Sequence, residues 1–264
     1  MGSATREALA ASRAELSAIG AVDLATADEL FFAGRTAGES AQLRSILSDT
    51  STDAAEKHTV LAAVFGSTLG AKSMRLLETV VGNRWSSQGE LLAGIEEIGL
   101  RAAAESAGPN ATIEAELFAF GAAVSSDAQL ELAIGSKQGG RDAKLALVDS
   151  LLAAKVSAQT LSIVRQLVLQ PRGRRIGELL SNAAAIVADQ AGTSVATVTS
   201  AGPLSHAQLA RLHEGLAATY GRPLTINLVV DPSIIGGLRV QVGNDVIDGT
   251  VARKLSELRL QLAG

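Results

Sequence analysis

The stretch DELFFAGRTAGESAQL, residues 28–43, returns as AELFAFGAAVSSDAQL at residues 115–130, and that return decides the architecture. Glu29-Leu30-Phe31 aligns with Glu116-Leu117-Phe118, Gly34 with Gly121, and Ala41-Gln42-Leu43 with Ala128-Gln129-Leu130, each pair 87 residues apart, as 31 is from 118. Lys57 and Lys144 keep this spacing, while Gly89-Glu90-Leu91-Leu92 and Gly177-Glu178-Leu179-Leu180 stand 88 apart, as do Ile98 and Ile186. A one-residue insertion in a connection accounts for the step, because loops accept insertions. The ordered matches are those of two copies of one module, over roughly residues 26–108 and 113–192.

Within each copy the apolar residues fall at helical spacing. Leu43, Ile46 and Leu47 form one stripe, Val60, Leu61, Val64, Phe65 and Leu69 another, and Met74, Leu77, Val80 and Val81 a third. Leu161, Val164, Leu167 and Val168 repeat the last of these in the second copy. Turn chemistry places breaks at Ser48-Asp49, at Gly82-Asn83 and at Pro171-Arg172-Gly173, and Gly108-Pro109-Asn110 separates the copies.

Beyond Gly192 the pattern changes. Val195, Thr197 and Thr199 alternate as in a strand. Ser205 and Gln208 are spaced as a capping box that opens a helix from about His206 to Tyr220, and Gly221 suits its end. Leu224 to Val230 reads as a strand ended by Asp231-Pro232, and Leu238, Val240 and Val242 share one face of another. Gly243-Asn244 fits a tight hairpin returning through Val246-Ile247, and Val251, Leu255, Leu258 and Leu262 mark a closing helix. The expected fold is therefore mainly α, a duplicated helical-bundle module followed by a small α/β domain in the order β-α-β-β-β-α. The expected domains are 1–108, 109–192 and 193–264.

Composition agrees with helix packing. Apolar residues make up 47%, charged residues 19% and aromatic residues only 3%, enough apolar surface for real cores and too little aromatic surface to favour a sandwich. The net charge of -4 gives no electrostatic reason to expect nucleic acid. The absence of cysteine excludes disulfides and thiolate zinc sites. The first residues lack a signal-peptide core and no stretch approaches the ~20 apolar residues of a bilayer span, so membrane association is expected only through a partner.

The sequence carries several chemical near-misses. Gly66 to Ser73 resembles a phosphate loop, but its glycines are too close and Ala71 separates Gly70 from Lys72, so a helix–helix turn is expected. His213-Glu214 opens a zincin-like pattern that Ala217 breaks. His206 and His213 lack a third ligand nearby, and His58 stands alone. Asp231, Asp245 and Asp248 offer carboxylates for acid–base or metal chemistry, but each sits beside a turn signal, where Asp caps backbone amides. Arg172, Arg174 and Arg175 could grip an anion or an acidic partner, and a solvated turn is the plainer expectation. Asn110-Ala111-Thr112 is a glycosylation sequon in form only, and Trp85 reads as core packing. No catalytic residue, cofactor or metal ligand is expected.

The run from Val230 to Leu255, VDPSIIGGLRVQVGNDVIDGTVARKL, resembles the C-terminal signature of ATP synthase delta subunits, relatives of the mitochondrial oligomycin-sensitivity-conferring protein. Thr199 to Ser205, Gln208 and Gly221 fit the same family, and Arg6 to Ala10 together with the chain's length are similar to its actinobacterial members. Most of the family carries one helical module where this chain has two. The resemblance implies a non-catalytic stator component on the cytoplasmic face of the bacterial plasma membrane. Its helical part would hold N-terminal helices of the alpha subunits and its last domain the C-terminal end of the b subunit. On that reading Leu9, Leu16, Leu77, Val80 and Val81 are candidates for the alpha-binding groove, and Ile234, Ile235, Leu238 and Leu258 for the b side. The competing readings are an unrelated helical-repeat adaptor, an aspartate-using transferase and an RNA-binding module. The last of these lacks an aromatic platform.

Overall fold

The computed structural model describes residues 2–108, 111–135, 140–221, 223–242 and 245–255. Six helices come first, α1 (Ser3–Ile19), α2 (Leu24–Glu39), α3 (Ala41–Ser48), α4 (Ala54–Phe65), α5 (Ala71–Gly82) and α6 (Gln88–Ser106). Five follow, α7 (Ile113–Ser126), α8 (Ala128–Gly135), α9 (Arg141–Leu152), α10 (Ala158–Leu169) and α11 (Ile176–Gln190). Residue contacts gather the chain into two compact units, Met1–Val187 and Ala188–Gly264.

The internal repeat is present in three dimensions. Helices α3, α4 and α5 return as α8, α9 and α10 with both ends displaced by 87 residues, as 41–48 is from 128–135, and the starts of α6 and α11 are 88 apart. Caps explain why the ends are kept. The Ser40 hydroxyl accepts the Leu43 N–H at 3.1 Å, and at the equivalent position the Asp127 carboxylate accepts the Leu130 N–H at 3.1 Å. Either side chain satisfies an amide that the first helical turn leaves open. A second device is copied with it. Glu29 accepts the Gly70 N–H at 2.7 Å, and Glu116 accepts the Ser157 N–H at 3.0 Å, so each copy sets a carboxylate at the positive end of its fourth or fifth helix.

The cores repeat in the same register. Leu30 and Leu117, Leu61 and Val148, Phe65 and Leu152, Leu76 and Ile163, and Leu91 and Leu179 are all buried. Each large side chain removed from water contributes about 1.5–3 kcal/mol before the ordering entropy is set against it. Val64 departs from its expected place in a buried stripe and is 42% exposed. It lies on the outer flank of α4, which packs chiefly on α5, and its neighbour Phe65 meets Phe32 edge to face at 6.4 Å.

The second unit contains β1 (Ser194–Ser200), α12 (His206–Tyr220), β2 (Leu224–Val230), β3 (Leu238–Val242) and β4 (Asp245–Asp248), with residues 251–255 helical. The sheet order is β2-β1-β3-β4; β1 runs parallel to β2 and antiparallel to β3, with Val198 opposite both Leu228 and Val240, and β3 is antiparallel to β4. Ala196, Val198, Leu216, Leu224, Val240 and Val242 form the buried core between sheet and α12. The capping box of Ser205 and Gln208 is complete, and Gly221 ends α12 in the left-handed region at φ 68°. The fold class and the strand and helix order match the expectation through residue 255. The Gly243-Asn244 turn, Pro109-Asn110, Leu258 and Leu262 lie outside the described residues. Among the described residues no single helix is long and apolar enough to cross a membrane.

Candidate partner-binding surfaces

Helix α1 is laid down by a stripe of Thr5, Ala8, Leu9, Ser12 and Leu16, all buried, at spacings of three and four. It packs on α5 and α6. Leu9 and Leu16 are 5% and 1% exposed, and Leu77, Val80 and Val81 on α5 are equally interior. These five side chains therefore fix α1 against the bundle from below, and the surface of the α1–α5 seam is made by their neighbours. Along α1 and α5, Ala14, Ala18, Lys72 and Arg75 are exposed and Thr79 is half-buried. Arg75 Nε meets Glu15 Oε1 at 2.5 Å across the seam, and Lys72 Nζ donates to the Ala21 carbonyl at 2.6 Å. At the other end Thr5 Oγ1 donates to Glu90 at 2.6 Å, and this bond holds the Glu90 carboxyl below its usual range.

The two copies meet along α6 and α10. Arg172 and Arg174 both pair with Glu96, at 2.8 and 2.9 Å, and Glu96 is 4% exposed. Burial lowers the Arg172 pKa against the pull of Glu96. The expectation of a solvated turn is thus corrected for Arg172 and Arg174, because their anion is a buried carboxylate from the other copy, 76 residues away along the chain (172 against 96); Arg175 is exposed. Along α10 and its C-cap the polar stripe Ser162, Gln166 and Gln170 faces α2. Ser162 bonds Asp28, Gln166 accepts from Arg35, and Gln170 Nε2 donates to the Gly34 carbonyl at 2.9 Å. A cleft of about 370 Å³ remains beside this contact, walled by Leu24, Leu145, Leu161 and Leu169.

In the second unit the Val230–Leu255 run makes a knot of tight turns. Asp231 Oδ1 accepts the Ser233 N–H at 2.9 Å, and the Ile234 N–H bonds the Asp231 carbonyl at 3.1 Å. Gly237 stands at φ 86°, and a Cβ there would lie 2.3 Å from the Gly249 carbonyl oxygen. That approach lets Gly249 N–H reach the Leu238 carbonyl and Val251 N–H the Gly236 carbonyl, at 2.9 and 3.0 Å. Ile235 is left 78% exposed, Ile234 and Leu238 are half-buried, and Val246, Ile247, Val251 and Leu255 are exposed nearby in the chain. Leu258 is outside the described residues.

None of the chemical near-misses assembles. Gly66 to Gly70 joins α4 to α5. His58, His206 and His213 are exposed, and among the described residues no three His, Asp or Glu gather as metal ligands. Hydrogen bonds from Ser233 and from Thr250 hold the Asp231 and Asp248 carboxyls below their usual range, the signature of turn caps and the reverse of what an acid catalyst needs. Trp85 is buried, its Nε1 donating to the Val80 carbonyl at 2.7 Å.

Three comparisons bear on this arrangement. The family model described as the ATP synthase delta (OSCP) subunit matches residues 99–262. An ATP synthase subunit delta of Leifsonia xyli subsp. xyli is 54% identical over 100% of both chains, and one of Streptomyces griseus subsp. griseus is 38% identical, also over 100% of both. A chain of the cryo-EM structure of the Toxoplasma gondii mitochondrial ATP synthase hexamer aligns at TM-score 0.39 and 18% identity, over 57% of this chain and 85% of that one.

Proposed function

The chain belongs to the ATP synthase delta (OSCP) subunit family, and from that premise we propose that it is the peripheral-stalk connector between the catalytic head and the b subunit. It is a non-catalytic subunit, as its relatives are. The observation that carries the reading is identity of 54% with a delta subunit over the whole of both chains.

On this proposal the helical unit takes an N-terminal helix of an alpha subunit along the α1–α5 seam, whose shape Leu9, Leu16, Leu77, Val80 and Val81 set from beneath. The second unit meets the C-terminal end of b around Ile234, Ile235, Leu238 and Leu258, where Ile235 is exposed beside the Asp231 and Gly237 turns. The parts 1–108, 109–192 and 193–264 then divide one grip into two helical copies and a stalk-side domain. No cofactor and no nucleic acid enter, and the membrane is met only through the complex, at the cytoplasmic face of the plasma membrane. A connector under torque needs slow release, and two linked contacts supply it, since loss of one leaves the other to hold the partner at high effective concentration.

Membranes from cells lacking the chain should hydrolyse ATP at the head yet fail to couple hydrolysis to proton movement, read by quenching of a pH-sensitive dye. Restored coupling on adding back the purified chain completes the test. Coupled membranes without the chain, or failure of alpha and b to co-purify with it, would refute the proposal.

A further inference from the structure

Helix α6 belongs to both copies. It closes the first bundle, and it also stands to α10 as α1 stands to α5. Both α1 and α6 end at equivalent residues, Ile19 and Ser106, 87 apart (106 against 19). Lys72, near the start of α5, reaches the residues just after α1, and its equivalent Gln159, near the start of α10, reaches Ser106 Oγ at 3.4 Å. The family match begins at residue 99, inside α6. The second copy therefore has a seam, α6 with α10, equivalent to the α1–α5 seam of the first.

That second seam is filled. Helix α2 packs on both α6 and α10. Its Phe31 ring lies where a Cβ on Gly99 would be, its Gly34 would bring a Cβ within 3.2 Å of Ile95, and its Asp28 and Arg35 engage Ser162 and Gln166. The equivalent positions on α5 are Arg75 and Thr79 (162 and 166 less 87). There the contrast is direct: Ser162 and Gln166 are buried, while Arg75 is exposed and Thr79 half-buried. We propose that α2 is a resident helix ligand of the second copy, so that the doubled module takes one partner helix, along α1 and α5, and not two. The proposal deepens the assignment of the alpha-side seam above and rests on it for the partner. It also states the partner's chemistry. A helix that fits such a seam carries a large apolar residue, a small one three positions later that permits close approach, and flanking charges, as Asp28, Phe31, Gly34 and Arg35 do.

The chain has no cysteine, so single thiols report each seam. In the full chain, Arg75→Cys should react with an alkylating reagent at least about tenfold faster than Ser162→Cys, since the latter must wait for local opening. The two should react alike in denaturant, and Thr79→Cys against Gln166→Cys repeats the contrast should either variant fold poorly. A synthetic peptide of the alpha N-terminal helix, titrated calorimetrically, should bind once per chain and slow the Arg75→Cys thiol. Equal labelling of the two introduced thiols in the folded chain, or two peptides per chain, would overturn the proposal. If the peptide does not bind while Ser162→Cys stays masked, the alpha assignment fails and α2 is upheld as the second copy's occupant.

Discussion

At the scale of single residues, the structure concentrates its cost in a few positions where charge or backbone has no freedom. Glu96 neutralises two arginines inside the junction of the copies. Removing one partner of a buried pair leaves the others without compensation, so Glu96→Ala should lose about 3 kcal/mol or more, seen as an earlier urea midpoint. Gly237 combines a positive φ with backbone contact, and Gly237→Ala should destabilise the second unit by at least about 2 kcal/mol. One Trp and one Tyr make this easy to read, because Trp85 lies in the first unit and Tyr220 in the second. Tyr220 emission should change at lower urea in the variant while Trp85 emission keeps its midpoint.

At the scale of elements, the tether from Glu116 to the start of α10 is sensitive to acid. Burial raises the Glu116 pKa, and the hydrogen bonds from Ser157 and Thr160 outweigh it, so its folded pKa lies below the ordinary value. A depressed folded pKa stabilises the fold above the unfolded value of about 4.3 and ceases to do so as pH falls through the folded value. Thermal melts at pH 7 should therefore separate the wild type from Glu116→Gln, and the gap should narrow below about pH 4. A gap that stays constant across that range would show that the carboxylate's charge is not what holds α10.

The element boundaries that were legible in the sequence were so because caps and turns are local chemistry. Ser48-Asp49 and Gly82-Asn83 mark the ends of α3 and α5, and Ser205 with Gln208 announces α12; the caps Ser40 and Asp127 passed unread because the residue has changed between copies. The repeat was legible because Glu29-Leu30-Phe31, Gly34 and Ala41-Gln42-Leu43 return unchanged 87 residues on, whereas buried pairs such as Leu61 and Val148 or Phe65 and Leu152 keep their apolar character and not their identity. The α2–α10 contact was not. Ser162, Gln166 and Gln170 recur every four residues, which is also the pattern of a solvated helix face, and the only hint was their mismatch with Arg75, Thr79 and Asn83. Leu9, Leu16, Leu77, Val80 and Val81 show the complementary limit. Their spacing marks an apolar face, yet a groove wall and a core filling have the same spacing, and only the fold shows these five to be interior.

At the scale of the whole molecule, the chain forms two compact units, and on the proposed function each meets a different neighbour. Among the described residues the second unit leaves Ile235, Val246, Ile247, Val251 and Leu255 exposed, and the seam of the first carries the charges of Lys72 and Arg75. Deleting the chain should abolish mechanical coupling without touching the chemistry of the head, as dye-quench assays on depleted membranes would record. Small changes at Ile235, which is 78% exposed, should weaken stalk attachment and leave the melting temperature within about a degree, because exposed side chains contribute little to folding.

The double duty of α6 has a consequence for how such a chain can be cut. With one rod serving as the last member of one bundle and the first of the next, no single cut yields both bundles whole: whichever piece keeps α6 (Gln88–Ser106), the other loses a wall. A piece meant to carry one copy must therefore take α6 with it, and silence from a piece that lacks α6 says nothing about binding.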